Sequence, residues 1–269
     1  MNNKIMRRLD EHIESAQEFI GDRYIFGAFV FGSQNYGLDD EQSDLDSKLL
    51  VLPSFKDISS LAAPLSMTHE RANGEHIDIR DVRLFIDNFK NQSHNSLEAL
   101  FTPYCYVDSS YKEAWDALIK HREKIARLNP FKAVLAMEGM AHRNYGLLFK
   151  PMQHDRDRFD ALGYNPKQLH HVLKSEYFID HYIRGDRYED CIKPTAASKE
   201  LIVMAKRGHF TKEQATEIAA RSMARSTQMA TNFGKLTFLE PDADILNLID
   251  AAKEEIIRKG FVESLLWEK

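Results

Sequence analysis

The sequence predicts an α+β fold: a mixed β-sheet flanked by helices over residues 1–107, followed by a C-terminal helical bundle over residues 108–269. Three observations carry that expectation. Short β-rich runs alternate with helical periodicity only in the first part of the chain. After residue 108, long amphipathic segments succeed one another. Apolar residues make up 43% of 269 residues, enough to bury a sizeable core.

Residues 3–20 read as an amphipathic helix, because Ile5, Leu9, Ile13, Ala16 and Ile20 recur at helical spacing, and Gly21-Asp22 stops it. Residues 24–31 are aromatic and β-branched and read as a buried strand. Residues 32–43 are rich in Gly, Asn, Asp and Ser and read as a loop with room for one helical turn. Residues 44–52 read as a second strand, closed by Pro53, and residues 57–65 as a short helix or loop. Residues 76–80 alternate, with Ile77 and Ile79 on one face, and read as a third strand. Residues 81–101 read as helical, as do 110–127, 130–149, 165–184, 195–207, 211–231 and 242–259. Asn129-Pro130, Asn165-Pro166, Arg184-Gly185-Asp186 and Arg207-Gly208 punctuate the last group.

Composition narrows the function classes. Residues 1–107 carry 10 Lys and Arg against 17 Asp and Glu, whereas residues 108–269 carry 26 against 24. An acidic half with clustered Asp suits divalent cations, and nothing is basic enough for strong non-specific nucleic-acid binding. No apolar stretch approaches the roughly 20 residues of a membrane span, and the basic N-terminus lacks an apolar segment of the secretory kind. Cys105 and Cys191 stand apart with no Cys-x-x-Cys spacing, which points to a cytoplasmic setting without a disulfide framework.

The stretch FVFGSQNYGLDDEQSDLD, residues 29–46, carries the chemistry. Residues i and i+2 of a strand share a face, so Asp44 and Asp46 are expected side by side with Leu45 in the core. Such carboxylates repel unless a cation offsets them, and Mg²⁺ takes oxygen ligands from protein and phosphate alike. Asp78, between Ile77 and Ile79, faces away from the core. If its strand neighbours that of Asp46, three carboxylates converge and can hold two ions. Gly32 lets backbone approach a phosphate, and Ser33 offers a hydroxyl and an N–H. Tyr36 sits in the same loop, as a nucleotide contact or a packing residue.

The order VFGS at 30–33 and SDLD at 43–46 resembles the signature of the DNA polymerase β-like nucleotidyltransferase superfamily, and in the GSQNYGL…SDLD form its predicted bacterial and phage members. NSLEALFTPYCY, residues 95–106, is similar to the block that follows in that group. The resemblance covers about residues 24–106. It implies a nucleotidyltransferase-like mixed sheet and two Mg²⁺ ions, with Mn²⁺ as a substitute. The implied reaction moves a nucleoside monophosphate from an NTP to a hydroxyl. Gly32 and Ser33 take the triphosphate role, Asp44 and Asp46 the metal-ligand role, and Asp78 the third-carboxylate role, with Asp81 as its near rival. Many members carry Arg-Gly after the acidic block, where this chain has Ser47-Lys48.

A cation reaching the γ-phosphate from the helical half fits this chemistry, and Arg143, Lys150 and Lys174 are the candidates. His170-His171 is not a metal pair, because adjacent helical residues diverge by about 100°. The acceptor is open among RNA, protein and small molecule; the slightly positive helical half permits RNA without requiring it. Two other readings stand beside this one: a non-catalytic nucleotide- or RNA-binding protein on the same fold, and a partner-binding protein such as one half of a toxin–antitoxin pair. The chain has no GxxxxGK[ST] and no GxSxG, so neither a P-loop kinase nor an acyl-transfer enzyme has support.

Overall fold

The computed structural model describes residues 2–39, 43–152, 156–236 and 240–267; Asp40, Glu41 and Gln42 of the acid-rich loop lie outside them. The chain forms two compact units, one of Met1–Leu128 with Pro241–Lys269 and one of Asn129–Glu240.

The first unit holds a five-stranded open mixed sheet in the order β3-β4-β2-β1-β5. Helix α1 (Asn2–Ile20) leads into β1 (Tyr24–Phe31), the turn of helix α2 (Ser33–Tyr36) and β2 (Asp46–Leu52). Helix α3 (Phe55–Ser59), β3 (Ser66–Glu70), β4 (His76–Asp81), α4 (Val82–Lys90), α5 (His94–Leu97) and β5 (Cys105–Val107) follow, then α6 (Lys112–Lys120) and α7 (Arg122–Ala126). Only β2 and β4 pair in parallel; β1–β2, β1–β5 and β3–β4 are antiparallel. The strands β3 and β5 have no counterpart in the sequence reading. β3 is a polar edge strand, SMTHE, with no apolar run, and β5 is only three residues long. The helix expected over 81–101 breaks after Lys90, where Gln92 takes a positive φ of 54° and its amide donates to the carbonyls of Phe89 (2.7 Å) and Ile125 (2.8 Å).

The sheet is amphipathic in depth. On one face Leu49 and Val51 of β2, Ile77 and Ile79 of β4 and Ala28 and Val30 of β1 meet Ile5, Leu9, Ala16 and Ile20 of α1. The same period-two alternation sends Asp46, Lys48, His76, Asp78 and Arg80 to the opposite face. There the aromatic rings of Phe26, Phe29, Phe89 and Trp115 pack together. Gly27 sits at a register shift in β1, where a Cβ would come within 2.9 Å of the Phe29 ring, so the aromatic packing leaves no room for a side chain there.

The second unit contains α8 (Pro130–Leu147), α9 (Arg156–Leu162), α10 (Pro166–Ile183), α11 (Tyr188–Ile192), α12 (Ala196–Arg207) and α13 (Lys212–Leu236). Helix α10 is its axis, packed against α8, α12 and α13. The expected punctuation holds: Pro130 and Pro166 open α8 and α10, and Gly208 closes α12 in the left-handed conformation. The last helix, α14 (Ala243–Trp267), belongs to the first unit. Tyr111 donates to Glu263 (2.6 Å) and Lys253 to Asp87 (2.6 Å), which ties α14 to the edge of the sheet unit.

Candidate active site

The phosphate-loop candidate is built by strand pairing. β1 runs antiparallel to β2 with Phe31 opposite Asp46, so the residue after Phe31 emerges beside that carboxylate. That residue is Gly32, with φ 82° and ψ −145°, a conformation open essentially to glycine alone. A Cβ placed on Gly32 would stand 3.6 Å from Asp46 Oδ2. The carboxylate and the turn share one spot.

A buried network fixes the turn. Glu98 Oε1 accepts from the Gly32 N–H (3.0 Å) and the Asn35 amide (2.7 Å), and Glu98 Oε2 accepts from the Tyr36 hydroxyl. Asn35 also donates to the Val30 carbonyl (2.7 Å) and accepts from Thr102 (2.7 Å). Asn35, Tyr36 and Glu98 are all buried. Tyr36 therefore holds the loop and presents no open ring to a nucleotide. Glu98 is the loop's anchor, and Ser93 precedes α5.

The acids take unequal positions. Strand β2 starts at Asp46, so Asp44 lies two residues before the strand, exposed. Leu45 is fully buried, as its alternation requires. Asp46 is 49% exposed, and its Oδ1 lies 3.1 Å from His76 Nδ1. The parallel register sets Lys48, not Asp46, opposite Asp78. Asp78 accepts from Lys48 Nζ (2.6 Å) on Oδ2, and on Oδ1 from Thr68 (3.2 Å), with Arg80 Nη2 also at 2.6 Å. Burial alone would raise the Asp78 pKa, but Lys48 and Arg80 outweigh it and hold the carboxyl below its ordinary value. Lys48 also lies 4.8 Å from the centre of the Phe31 ring. Asp81, the rival third acid, points to the opposite face, buried, where it caps α4 and binds Arg83 through both oxygens. Among the described residues no three acidic, His or Cys side chains gather as a ready metal-ligand set.

Behind the acidic strand stands a second network. His12 of α1 is fully buried, with Nδ1 2.8 Å from Ser47 Oγ and Nε2 2.9 Å from Glu75 Oε2. A carboxylate only accepts, so Nε2 carries the proton and Ser47 donates to Nδ1. Arg8 donates to Glu75 Oε1 (2.8 Å) and Arg71 to Oε2 (3.0 Å). Burial works to raise the Glu75 pKa, yet the bonds from His12 and Arg8 prevail and hold it at about 2. Ser47 is flanked by Asp46 and Lys48, so this clamp sets the strand that carries both. Alternation along β2 is the sequence signal that finds Ser47 on one face and Lys48 on the other.

Arg143, Lys150 and Lys174 stand in the helical unit, Arg143 and Lys150 exposed and Lys174 half-buried on α10. His170 is buried there, 3.3 Å from the Ile202 carbonyl through Nδ1, and burial pushes its pKa down to about 3.

Carboxylate oxygens are the donor type that a hard divalent cation takes. Asp44 and Asp46 offer oxygen ligands, and Asp46 is half open beside a glycine that brings no side chain into its space. No protein-family model matches the chain, and no curated protein matches it. Among the described residues no helix is long and apolar enough to cross a membrane.

Proposed function

We propose that the chain is a metal-dependent nucleotidyltransferase with a nucleotidyltransferase-like fold, moving a nucleoside monophosphate from an NTP to an acceptor hydroxyl and releasing pyrophosphate. The observation that carries this reading is the placement of the Gly32 turn against the Asp46 carboxylate, at the joint of two antiparallel strands. The order of the GSQNYGL and SDLD blocks supports it.

In this reading Asp44 and Asp46 hold Mg²⁺, which supplies charge neutralisation for the triphosphate and the departing pyrophosphate. Ser33 receives the phosphates through its hydroxyl and N–H, while Gly32, whose own N–H stays on Glu98, brings no Cβ into their space. The network on Glu98 keeps that turn in place before any ligand arrives. The acceptor oxygen bonds to the α-phosphorus as the bond from that phosphorus to the β-phosphate's bridging oxygen breaks. Asp78, kept ionised by Lys48 and Arg80, takes the hydroxyl proton.

Titration calorimetry with ATP, GTP, CTP and UTP in the presence of Mg²⁺ tests the binding half of the proposal. The expected result is metal-dependent binding of at least one NTP, weakened at least tenfold by Asp44→Asn/Asp46→Asn. Binding indifferent to metal and to both substitutions contradicts it.

A further inference from the structure

On the sheet face that carries Asp46, a cleft of about 310 Å³ opens between β4, β3 and the α4–α5 segment. Its position follows from the strands. Lys48 is two residues past Asp46 on the same face, about 7 Å along β2. Lys48 and Arg80 bring two positive charges to the cleft, and the one carboxylate between them, Asp78, balances only one.

The opposite wall is uncharged and polar. Asn88, Ser93, Asn95 and Ser96 line it, and among the described residues their side chains make no hydrogen bond. Four polar side chains left without partners along one wall form a surface for hydroxyl groups. The apolar contribution is limited to Leu84 and Phe85. The volume is at the lower end of small-molecule sites. A ligand that satisfies this lining carries an anionic group at one side, hydroxyls at the other, and little apolar surface.

We propose that this cleft is the acceptor subsite and takes a phosphorylated sugar, its phosphate on Lys48 and Arg80 and its hydroxyls on Asn88, Ser93, Asn95 and Ser96. The inference rests on the nucleotidyltransferase reading and names its acceptor class. Two sources offer this chemistry: a free sugar phosphate and the terminal nucleotide of an RNA. The hydroxyl that attacks is the one lying over Asp78, and its proton passes to that carboxylate.

The test is calorimetric titration of the full chain with ribose 5-phosphate, with ribose and inorganic phosphate as controls, and in parallel with a short oligoribonucleotide ending in a phosphate. The expected result is that ribose 5-phosphate or the oligoribonucleotide binds more tightly than either control. Arg80→Ala weakens that binding about tenfold, as loss of a charge-assisted bond does. Asn88→Ala/Asn95→Ala also weakens it, and Asn95→Ala alone, at an exposed position, gives a variant whose fold is not in question. Binding by ribose 5-phosphate assigns the free sugar phosphate; binding by the oligoribonucleotide alone assigns the RNA end. Absence of both, or binding that ignores all three variants, overturns the proposal. Asp44→Asn/Asp46→Asn separates it from the underlying reading. Sugar-phosphate binding that survives this double substitution shows the cleft to be independent of the metal site, and such binding by a wild-type chain that transfers no nucleotide keeps the cleft and removes the nucleotidyltransferase. Nucleotide transfer without sugar-phosphate binding does the reverse.

Discussion

Glu98 accepts from three donors at once, and each belongs to the turn that faces Asp46. Removing an acceptor of that kind leaves buried donors without partners, which costs more than the bonds themselves contribute. Glu98→Ala is expected to destabilise the sheet unit by about 3 kcal/mol, read by urea unfolding. A change within about 0.5 kcal/mol would place the network outside the fold's support. Gly32 makes a second residue-scale prediction. Space is available for a Cβ, since Asp46 Oδ2 would be 3.6 Å away, so the penalty of Gly32→Ala is the backbone alone. It should cost about 1–3 kcal/mol, visible in the same unfolding experiment.

At the scale of elements, the clamp of His12, Ser47 and Glu75 joins α1, β2 and the start of β4. Its pH dependence has a defined sign. Glu75 is depressed from an ordinary 4.5 to about 2, so its stabilisation is present above pH 4.5 and is lost as pH falls toward 2. Burial lowers the His12 pKa below 6.5, so the unfolded chain takes that proton first and the same direction applies below pH 6.5. Thermal unfolding followed from pH 7 to pH 3 should show the midpoint falling throughout, and Glu75→Gln should flatten the lower part of the curve. A midpoint that rises on acidification contradicts this assignment.

Much of this scale was legible beforehand. The periodicity of α1, the aromatic run of β1, the I-D-I of β4 and the Pro and Gly punctuation of the helical unit are strong local signals. The edge strand β3 was not, because its exposed polar pattern has no apolar face to betray it. The break at Gln92 was not, because a left-handed glutamine held by its own amide leaves no compositional mark. The placement of Asp46 and Gly32 followed from reading two strands in order, whereas the pairing of Asp78 with Lys48 depends on a parallel register that a single sequence does not state.

At the scale of the whole molecule, the sheet unit is completed from the far end of the chain. Helix α14 returns to it through Glu263 and Lys253, after the unit of Asn129–Glu240 has intervened in the chain. Composition does not reveal such a return, because α14, like the helices before it, mixes apolar and charged residues. The consequence is that the sheet unit requires residues from both ends. Tyr111→Phe and Lys253→Met together are expected to raise proteolytic cleavage within α14, measured by limited digestion with a glutamate-specific protease and mass spectrometry. An unchanged digestion pattern would show that those two bonds do not hold the helix.

Nucleotide transfer is measured directly by following the α-phosphate. The purified chain is incubated with each α-labelled NTP and Mg²⁺ or Mn²⁺, with and without total cellular RNA and protein, beside Asp44→Asn/Asp46→Asn. The account predicts label transferred to an acceptor, with pyrophosphate released, by the wild-type chain alone. Equal labelling by the double variant, or no transfer in any mixture despite metal-dependent NTP binding, contradicts it.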